Sequence, residues 1–189
     1  SAEVQRYEGL VEKFAGDAML AVFGVPTVHE DDAERAVRAA FEMQQAMAEL
    51  GAQLAAEGRP QLQLRIGIET GEVLANRQRA TSERDRIVTG DAVNTAARLE
   101  QAAAPTEIVV GPATYAATRE VVEYEELPAQ ALKGKALPIV TWRAMRVTMR
   151  ISPSPPVACA AWRATLRIAW ISCSSLPETS RIGVRPASS

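Results

Sequence analysis

Apolar and polar positions follow two periods along this chain, one typical of strands and one typical of helices. The stretch VEKFAGDAML predicts a β-hairpin, with strands at Val11–Phe14 and Ala18–Phe23 around the turn Ala15-Gly16-Asp17. From residue 30 to residue 58 apolar side chains recur every three or four positions, which predicts a long amphipathic helix. The alternation in QLQLRIGIETGEV, residues 61–73, predicts a strand with one buried face.

Two details of these elements carry further expectations. Three acids, Glu30, Asp31 and Asp32, crowd the start of the long helix, where the helix dipole favours carboxylates. We interpret them as helix caps rather than a metal cluster, and the neighbouring His29 as a helix-start residue rather than a ligand or base. The glycines of the 61–73 strand, Gly67 and Gly71, indicate close approach of another backbone segment.

The remaining pattern alternates short helices and strands irregularly. It predicts helices in GDAVNTAARLEQAA and GPATYAATRE, strands in TEIVV, VVEYEEL and PIVTWRAMRV, and a surface loop in ANRQRATSERDRI. Hairpins mixed with helices favour an α+β fold, a sheet covered by helices on one face.

Composition excludes several classes of partner. The 189 residues are 47% hydrophobic and 23% charged, with a formal net charge of −2, so no excess of positive charge predicts a nucleic-acid or anionic-membrane partner. No apolar run reaches the length of a membrane span, and we expect a cytoplasmic protein. The two cysteines, Cys159 and Cys173, form neither a disulfide framework nor a four-ligand metal site.

The character of the chain changes near residue 147. Residues 1–146 carry 16 basic and 22 acidic side chains, whereas residues 147–189 carry five arginines and one acid. We therefore predict one domain over 1–146 and a low-order tail over 147–189 that does not pack on it. A linker and a translation outside its natural reading frame both account for the tail composition.

Two pairs of polar residues are candidates for chemistry. Asn94 and Arg98 are four apart on a predicted helix, so both project from one face; they suit a ribose and a phosphate, or simply a solvated helix surface. Lys13 and Asp17 flank the tip of the predicted hairpin. The simpler interpretation is a solvated lysine and a turn aspartate.

Three segments together, VEKFAGDAMLAVFGVP, RIGIETGEV with VTGDAVNTAARLE, and LKGKALP, resemble the class III nucleotide cyclase catalytic domain, the adenylate and guanylate cyclase family. The resemblance covers about residues 8–146. It implies a ferredoxin-like α+β sheet covered by helices, and conversion of ATP to cyclic AMP and pyrophosphate in intracellular signalling.

The resemblance also implies roles for single residues. Asn94 would position the ribose, and Arg98 would stabilise charge on the α-phosphate as the 3′-hydroxyl attacks it. Lys133 would bind the terminal phosphates, and Asp17 would be one of two aspartates that hold paired Mg²⁺ or Mn²⁺ ions. Lys13 would donate to N1 of adenine, which favours ATP over GTP.

The resemblance also implies a dimer, and the sequence differs from the family pattern in two respects. The family's sites lie at a dimer interface, so a homodimer or heterodimer is expected. Ile87 occupies the second purine-recognising position and can neither accept nor donate a hydrogen bond. The family's first metal aspartate lies on a strand upstream of the hairpin, so we expect a domain without its first strand and helix that is inactive alone. The alternative is a non-catalytic nucleotide-binding or dimerisation module that regulates a larger multidomain protein.

Overall fold

The computed structural model describes residues 2–25, 27–75, 88–130, 138–148 and 165–175, the last of these by backbone alone. Most of the predicted loop at 75–87 lies outside the described residues. The helices are Ala2–Arg6 (α1), Asp32–Ala56 (α2), Asp91–Ala102 (α3) and Pro112–Thr118 (α4). The strands are Leu10–Ala15 (β1), Ala18–Phe23 (β2), Leu62–Glu72 (β3), Leu74–Ala75 (β4), Val88–Thr89 (β5), Ile108–Val110 (β6), Val122–Gln130 (β7), Ile139–Val147 (β8) and Thr165–Ser175 (β9). The predicted hairpin, the long helix and the other predicted elements up to residue 147 are confirmed.

Seven of the strands form one mixed sheet in the order β1-β2-β9-β3-β6-β8-β7. Strands β3 and β6 pair in parallel, and the other neighbours are antiparallel. Because β2 and β3 both run antiparallel to β9, they are parallel to each other with one strand between them. Helix α2 connects β2 to β3, so these elements form a split βαβ unit.

Helices cover both faces of the sheet. Ile66 and Ile68 point into the core cluster that also holds Val37 and Ala40 of α2. Gly67, between them, faces the backbone of α3. Successive residues of a strand point to opposite faces, so α2 and α3 lie on opposite sides, and the prediction of helices on one face is wrong. The α+β class is confirmed.

The prediction that the tail does not pack on the domain is wrong for Thr165–Ser175. Every residue of β9 pairs with β3, and the strand also pairs with β2 from Ala18 to Phe23. The tail sequence shows no obvious strand period, because an interior strand has both faces covered and needs no alternation. A domain boundary near residue 147 remains a prediction.

The start of α2 is held by ion pairs rather than by a side-chain cap. The N-cap residue Asp31 makes no capping hydrogen bond, and its Oδ1 accepts instead from Arg35 Nε at 2.9 Å. His29 is buried, with its Nε2 atom 3.3 Å from Glu8 Oε2 and its Nδ1 atom 3.4 Å from Asp32 Oδ1. The backbone N–H of His29 donates to Asp32 Oδ2 at 2.8 Å. His29 is therefore a helix-start residue, as predicted.

Candidate active site

Helix α3 presents Asn94 and Arg98 on the side that faces away from the sheet. At about 100° per residue these two positions are separated by only about 40°. Asn94 is exposed and Arg98 is half-buried. The opposite side of the helix is apolar and buried, and it includes Ala92, Ala96 and Leu99. The helix thus holds an amide and a guanidinium side by side above the sheet.

Glycines of β3 set how closely α3 approaches. A Cβ atom on Gly67 would lie 2.3 Å from the Ala96 carbonyl oxygen and 2.3 Å from the Glu100 amide nitrogen. A Cβ on Gly71 would lie 2.8 Å from Ala92 Cβ. The strand runs from 67 to 71 while its helix contacts run from 100 to 92, so α3 lies antiparallel along β3. The predicted close backbone approach is confirmed at Gly67, whereas at Gly71 the close neighbour is the Ala92 methyl group.

The hairpin places Lys13 on the same side of the sheet as α3. Lys13 pairs with Leu20 across the hairpin, and residues paired in this way point to the same face. Leu20 belongs to the apolar cluster under α3 that contains Ala92 and Ala96. An irregularity in the register at Glu12 has the form of a β-bulge, a feature that redirects side chains. Lys13 Nζ lies 3.8 Å from Glu12 Oε2.

Asp17 stands at the tip of the same hairpin. Its neighbour Gly16 has φ +64°, a conformation that glycine adopts without strain, and Asp17 is exposed. A carboxylate oxygen is a ligand that Mg²⁺ accepts. Within the described part of the chain, however, no group of three or more His, Cys, Asp or Glu side chains is arranged to hold a metal ion. Asp17 fits one ligand position of a metal site that other groups would complete.

Two predicted positions, Lys133 and Ile87, lie outside the described residues. Of the predicted positions that the structure describes, Lys13, Asn94 and Arg98 lie on one side of the sheet, and Asp17 lies at the tip of the β1–β2 hairpin.

An acidic cavity beside α3 was not predicted from the sequence. It has a volume of about 350 Å³, and Glu69, Glu72, Asp91 and Thr95 are among its lining residues. Glu69 packs against Gly111, whose Cβ would lie within contact distance of that carboxylate. The acids are spread over β3 and the start of α3, so no local motif identified them as neighbours.

The comparison with protein families decides the identity of this fold. The model of the adenylate and guanylate cyclase catalytic domain matches residues 5–145. This chain belongs to that family. The match ends before β9, so the cyclase domain incorporates a strand from outside the matched region.

Known relatives of this cyclase domain are much longer proteins. Adenylate cyclase 1 of Rhizobium meliloti is 25% identical over 154 residues, which are 80% of this chain and 23% of that protein. An uncharacterized protein of Mycobacterium tuberculosis is 40% identical over 99 residues, 51% of this chain and 16% of that protein. The chain thus spans about a quarter or less of these relatives.

Solved cyclase structures share the fold. The guanylyl cyclase Cya2 superposes with a TM-score of 0.73 at 31% identity, covering 81% of this chain and 78% of that chain. The adenylyl cyclase CyaB from P. aeruginosa gives a TM-score of 0.68 at 26% identity, covering 80% and 79%. Adenylyl and guanylyl cyclases are thus both among the similar structures.

None of the described helices combines the length and the apolar character that crossing a bilayer requires.

Proposed function

We propose that this cyclase domain converts ATP to cyclic AMP and pyrophosphate. The observation that carries the proposal is the placement of Asn94 and Arg98 together on the outward side of α3, with Lys13 on the same side of the sheet. An amide, a guanidinium and an ammonium on one surface match the ribose, the phosphate and the base of a nucleotide.

The reaction exchanges one bond at the α-phosphorus for another. The ribose 3′-oxygen attacks the α-phosphorus, its proton passes to solvent water, and the bond from the α-phosphorus to the oxygen that bridges to the β-phosphorus breaks, which releases pyrophosphate. Arg98 would stabilise the charge that develops on the α-phosphate oxygens, while Asn94 would hold the ribose in position for the attack. Lys133 would bind the terminal phosphates.

Asp17 would contribute to the binding of a divalent cation. Bound Mg²⁺ or Mn²⁺ would lower the pKa of the attacking hydroxyl and offset phosphate charge. Since this metal chemistry uses two ions, it needs carboxylates besides Asp17.

The preference for ATP rests on Lys13. An ammonium donates to N1 of adenine, whereas N1 of guanine carries a proton and needs an acceptor. Among similar solved structures, one guanylate cyclase domain is in complex with GTP, and a rhodopsin-guanylyl cyclase with converted specificity is in complex with ATPαS. Similar domains thus bind a guanine or an adenine nucleotide, and the ammonium of Lys13 makes ATP the substrate that we assign.

We also assign this domain a dimeric active form. The hairpin tip projects from the edge of the sheet with Phe14 70% exposed, and an exposed aromatic side chain of this kind is typical of an interface anchor. Lys13 and Phe14 are successive residues of β1 and point to opposite faces, and Asp17 lies in the turn that follows. A partner that packs around the hairpin tip would therefore come close to Phe14 and to both charged groups.

A second candidate function is a non-catalytic nucleotide-binding or dimerisation module of a longer cytoplasmic protein. Ile87 favours it, because an aliphatic side chain at a purine-recognising position makes no hydrogen bond to the base. The catalytic domain and a nucleotide-binding module both predict nucleotide binding, a dimerisation module does not, and only the catalytic domain predicts a cyclic product.

Nucleotide titration and product analysis test the proposal in sequence. Isothermal titration of ATP should show saturable binding that Arg98→Ala weakens at least tenfold. Arg119→Ala is the control, because Arg119 is an exposed arginine that follows α4 and does not belong to α3. Absence of ATP binding contradicts the proposed reaction and leaves the dimerisation module as the remaining candidate. Binding without cyclic AMP, when the partner subunit supplies the remaining metal ligands, favours the non-catalytic module.

A further inference from the structure

We propose that Arg65 and Glu100 are positioning residues for the nucleotide site. Their ion pair fixes the rotation of α3 on the sheet and thereby places Asn94 and Arg98. The inference rests on the proposed function, since it assigns these two residues a role in that same site.

The pair joins β3 to the last turns of α3. Arg65 Nε lies 3.5 Å from Glu100 Oε1, an ion-pair distance, and the Glu100 side chain is 4% exposed. Arg65 and Gly67 are two apart on β3, so both face α3. The close contact at Gly67 also involves the amide nitrogen of Glu100. Glu100 therefore takes part both in the ion pair and in the closest backbone contact between α3 and β3.

The other described contacts under α3 are apolar, and apolar packing has no preferred direction. Ala92 and Ala96 pack on Gly67 and Gly71 and share a cluster with Leu20, Val22 and Val73, while Leu99 shares a cluster with Val109. An ion pair, in contrast, has a preferred distance and direction. The Arg65–Glu100 pair, with side chains that are 32% and 4% exposed, thus adds a directional contact between β3 and α3.

Geometry links this pair to the substrate-facing groups. Glu100 and Arg98 are two residues apart, so at about 100° per residue they point to nearly opposite sides of the same turn. At a radius of about 5–6 Å, a rotation of roughly 10° moves a surface group by about 1 Å. A displacement of that size is enough to lower a rate by about a hundredfold. Loss of the pair would therefore displace Arg98 and Asn94 on the far side of the helix.

A double-mutant cycle with ATP affinity as the readout separates positioning from general stability. Glu100→Gln keeps the shape of the side chain and removes its charge. It should weaken ATP binding by about tenfold in the unmodified chain, and by less than twofold once Asn94 and Arg98 are both alanine. In the Lys13→Ala background the tenfold loss should remain, because Lys13 lies on the hairpin. Equal losses in all three backgrounds would overturn the inference.

Resonances of the two site side chains provide a measurement that needs no nucleotide. In ¹⁵N NMR spectra, Arg65→Gln and Glu100→Gln should both shift the Asn94 side-chain amide and the Arg98 Nε–Hε signals, whereas Arg65→Lys, which keeps the charge, should shift them less. Arg146→Gln is the control, because it removes a β8 arginine that pairs with Glu123 of β7. Unchanged Asn94 and Arg98 signals in the folded Arg65 and Glu100 variants would overturn the positioning role. Absence of ATP binding by the unmodified chain would count against the proposed function alone.

Discussion

Gly67 of β3 and Ala96 of α3 approach so closely that a methyl group between them has no room. A Cβ built on Gly67 would lie 2.3 Å from the Ala96 carbonyl oxygen, well inside van der Waals contact. The obstructing atoms belong to the backbone of a helix, which cannot move aside as a flexible side chain would. This contact sets the height of the Asn94–Arg98 surface above the sheet.

Gly67→Ala should therefore destabilise the domain strongly. Overpacking typically costs 1–3 kcal/mol, and a clash with several backbone atoms of α3 places this variant at about 3 kcal/mol or more. Thermal unfolding should show a melting temperature lower by roughly 6–12 °C. Gly51→Ala is the matched control, because its Cβ would only touch the Leu62 carbonyl oxygen at 3.4 Å inside α2. There alanine should be neutral or slightly stabilising. Equal melting temperatures for the two variants would show that α3 does not approach Gly67 in this way.

Tyr124 makes stability depend on pH at the alkaline end. Burial raises the pKa of Tyr124 to about 12, although its hydrogen bond with Thr118 acts in the opposite direction. In the unfolded chain a tyrosine titrates near 10. The stabilisation is complete below pH 10 and is lost as pH rises from 10 to 12, because only the unfolded state ionises there, and the loss amounts to about 2–3 kcal/mol.

Denaturant unfolding of Tyr124→Phe and of the unmodified chain should measure this pH-dependent contribution of Tyr124 to the free energy of unfolding. The stability difference between them should shrink or reverse in favour of phenylalanine across pH 10 to 12. Thr118→Ala removes the same hydrogen bond but keeps the phenol, so its pH dependence should remain. A parallel pH dependence for Tyr124→Phe and the unmodified chain would contradict the burial of this hydroxyl.

The interior position of β9 predicts that the tail is needed for stability. Deleting residues 165–189 would leave the facing edges of β2 and β3 without the backbone partners that β9 supplies, and unpaired buried backbone groups are costly. The melting temperature should fall by more than about 10 °C, or cooperative unfolding should be lost. Deleting only residues 176–189, which keeps β9, is the control. If both truncations melt like the full chain, β9 does not belong to the sheet.

Lys13 predicts the direction of a specificity change. Lys13→Glu replaces a donor by an acceptor opposite adenine N1, a mismatch of about 1–3 kcal/mol. Titrations with ATP and GTP should show ATP weakened by roughly tenfold or more relative to GTP, while Lys13→Arg retains the order of the unmodified chain. If the ratio of the two affinities is the same in all three proteins, Lys13 does not contact the base.

The local elements were predictable because their determinants are local. The hairpin around Gly16, the amphipathic α2 and the shared face of Asn94 and Arg98 all follow from residue type and spacing. The close approach at Gly67 was also visible, since glycines within a strand indicate a nearby backbone.

Features that depend on distant pairings were not predictable. The face occupied by α3, the insertion of β9 between β2 and β3, and the Arg65–Glu100 pair each join segments far apart in sequence. The sequence of β9 shows no alternation of apolar and polar residues, because both faces of the strand are covered. For the site, spacing alone left Asn94 and Arg98 open to interpretation as a solvated surface, and only the combination of three separated motifs favoured a nucleotide.

Complementation in mixed dimers tests the central claim, that Asn94, Arg98 and Lys13 form the nucleotide-facing half of a cyclase site. The chain would be mixed with a homologous cyclase domain that retains its metal aspartates but has lost its counterparts of Lys13 and Arg98, and cyclic AMP formed from ATP with Mn²⁺ would be measured. We predict synthesis by the mixture and none by the altered domain alone, with loss of synthesis when this chain carries Arg98→Ala. A mixture that forms proven heterodimers and yields no cyclic AMP would contradict the roles assigned to Asn94 and Arg98.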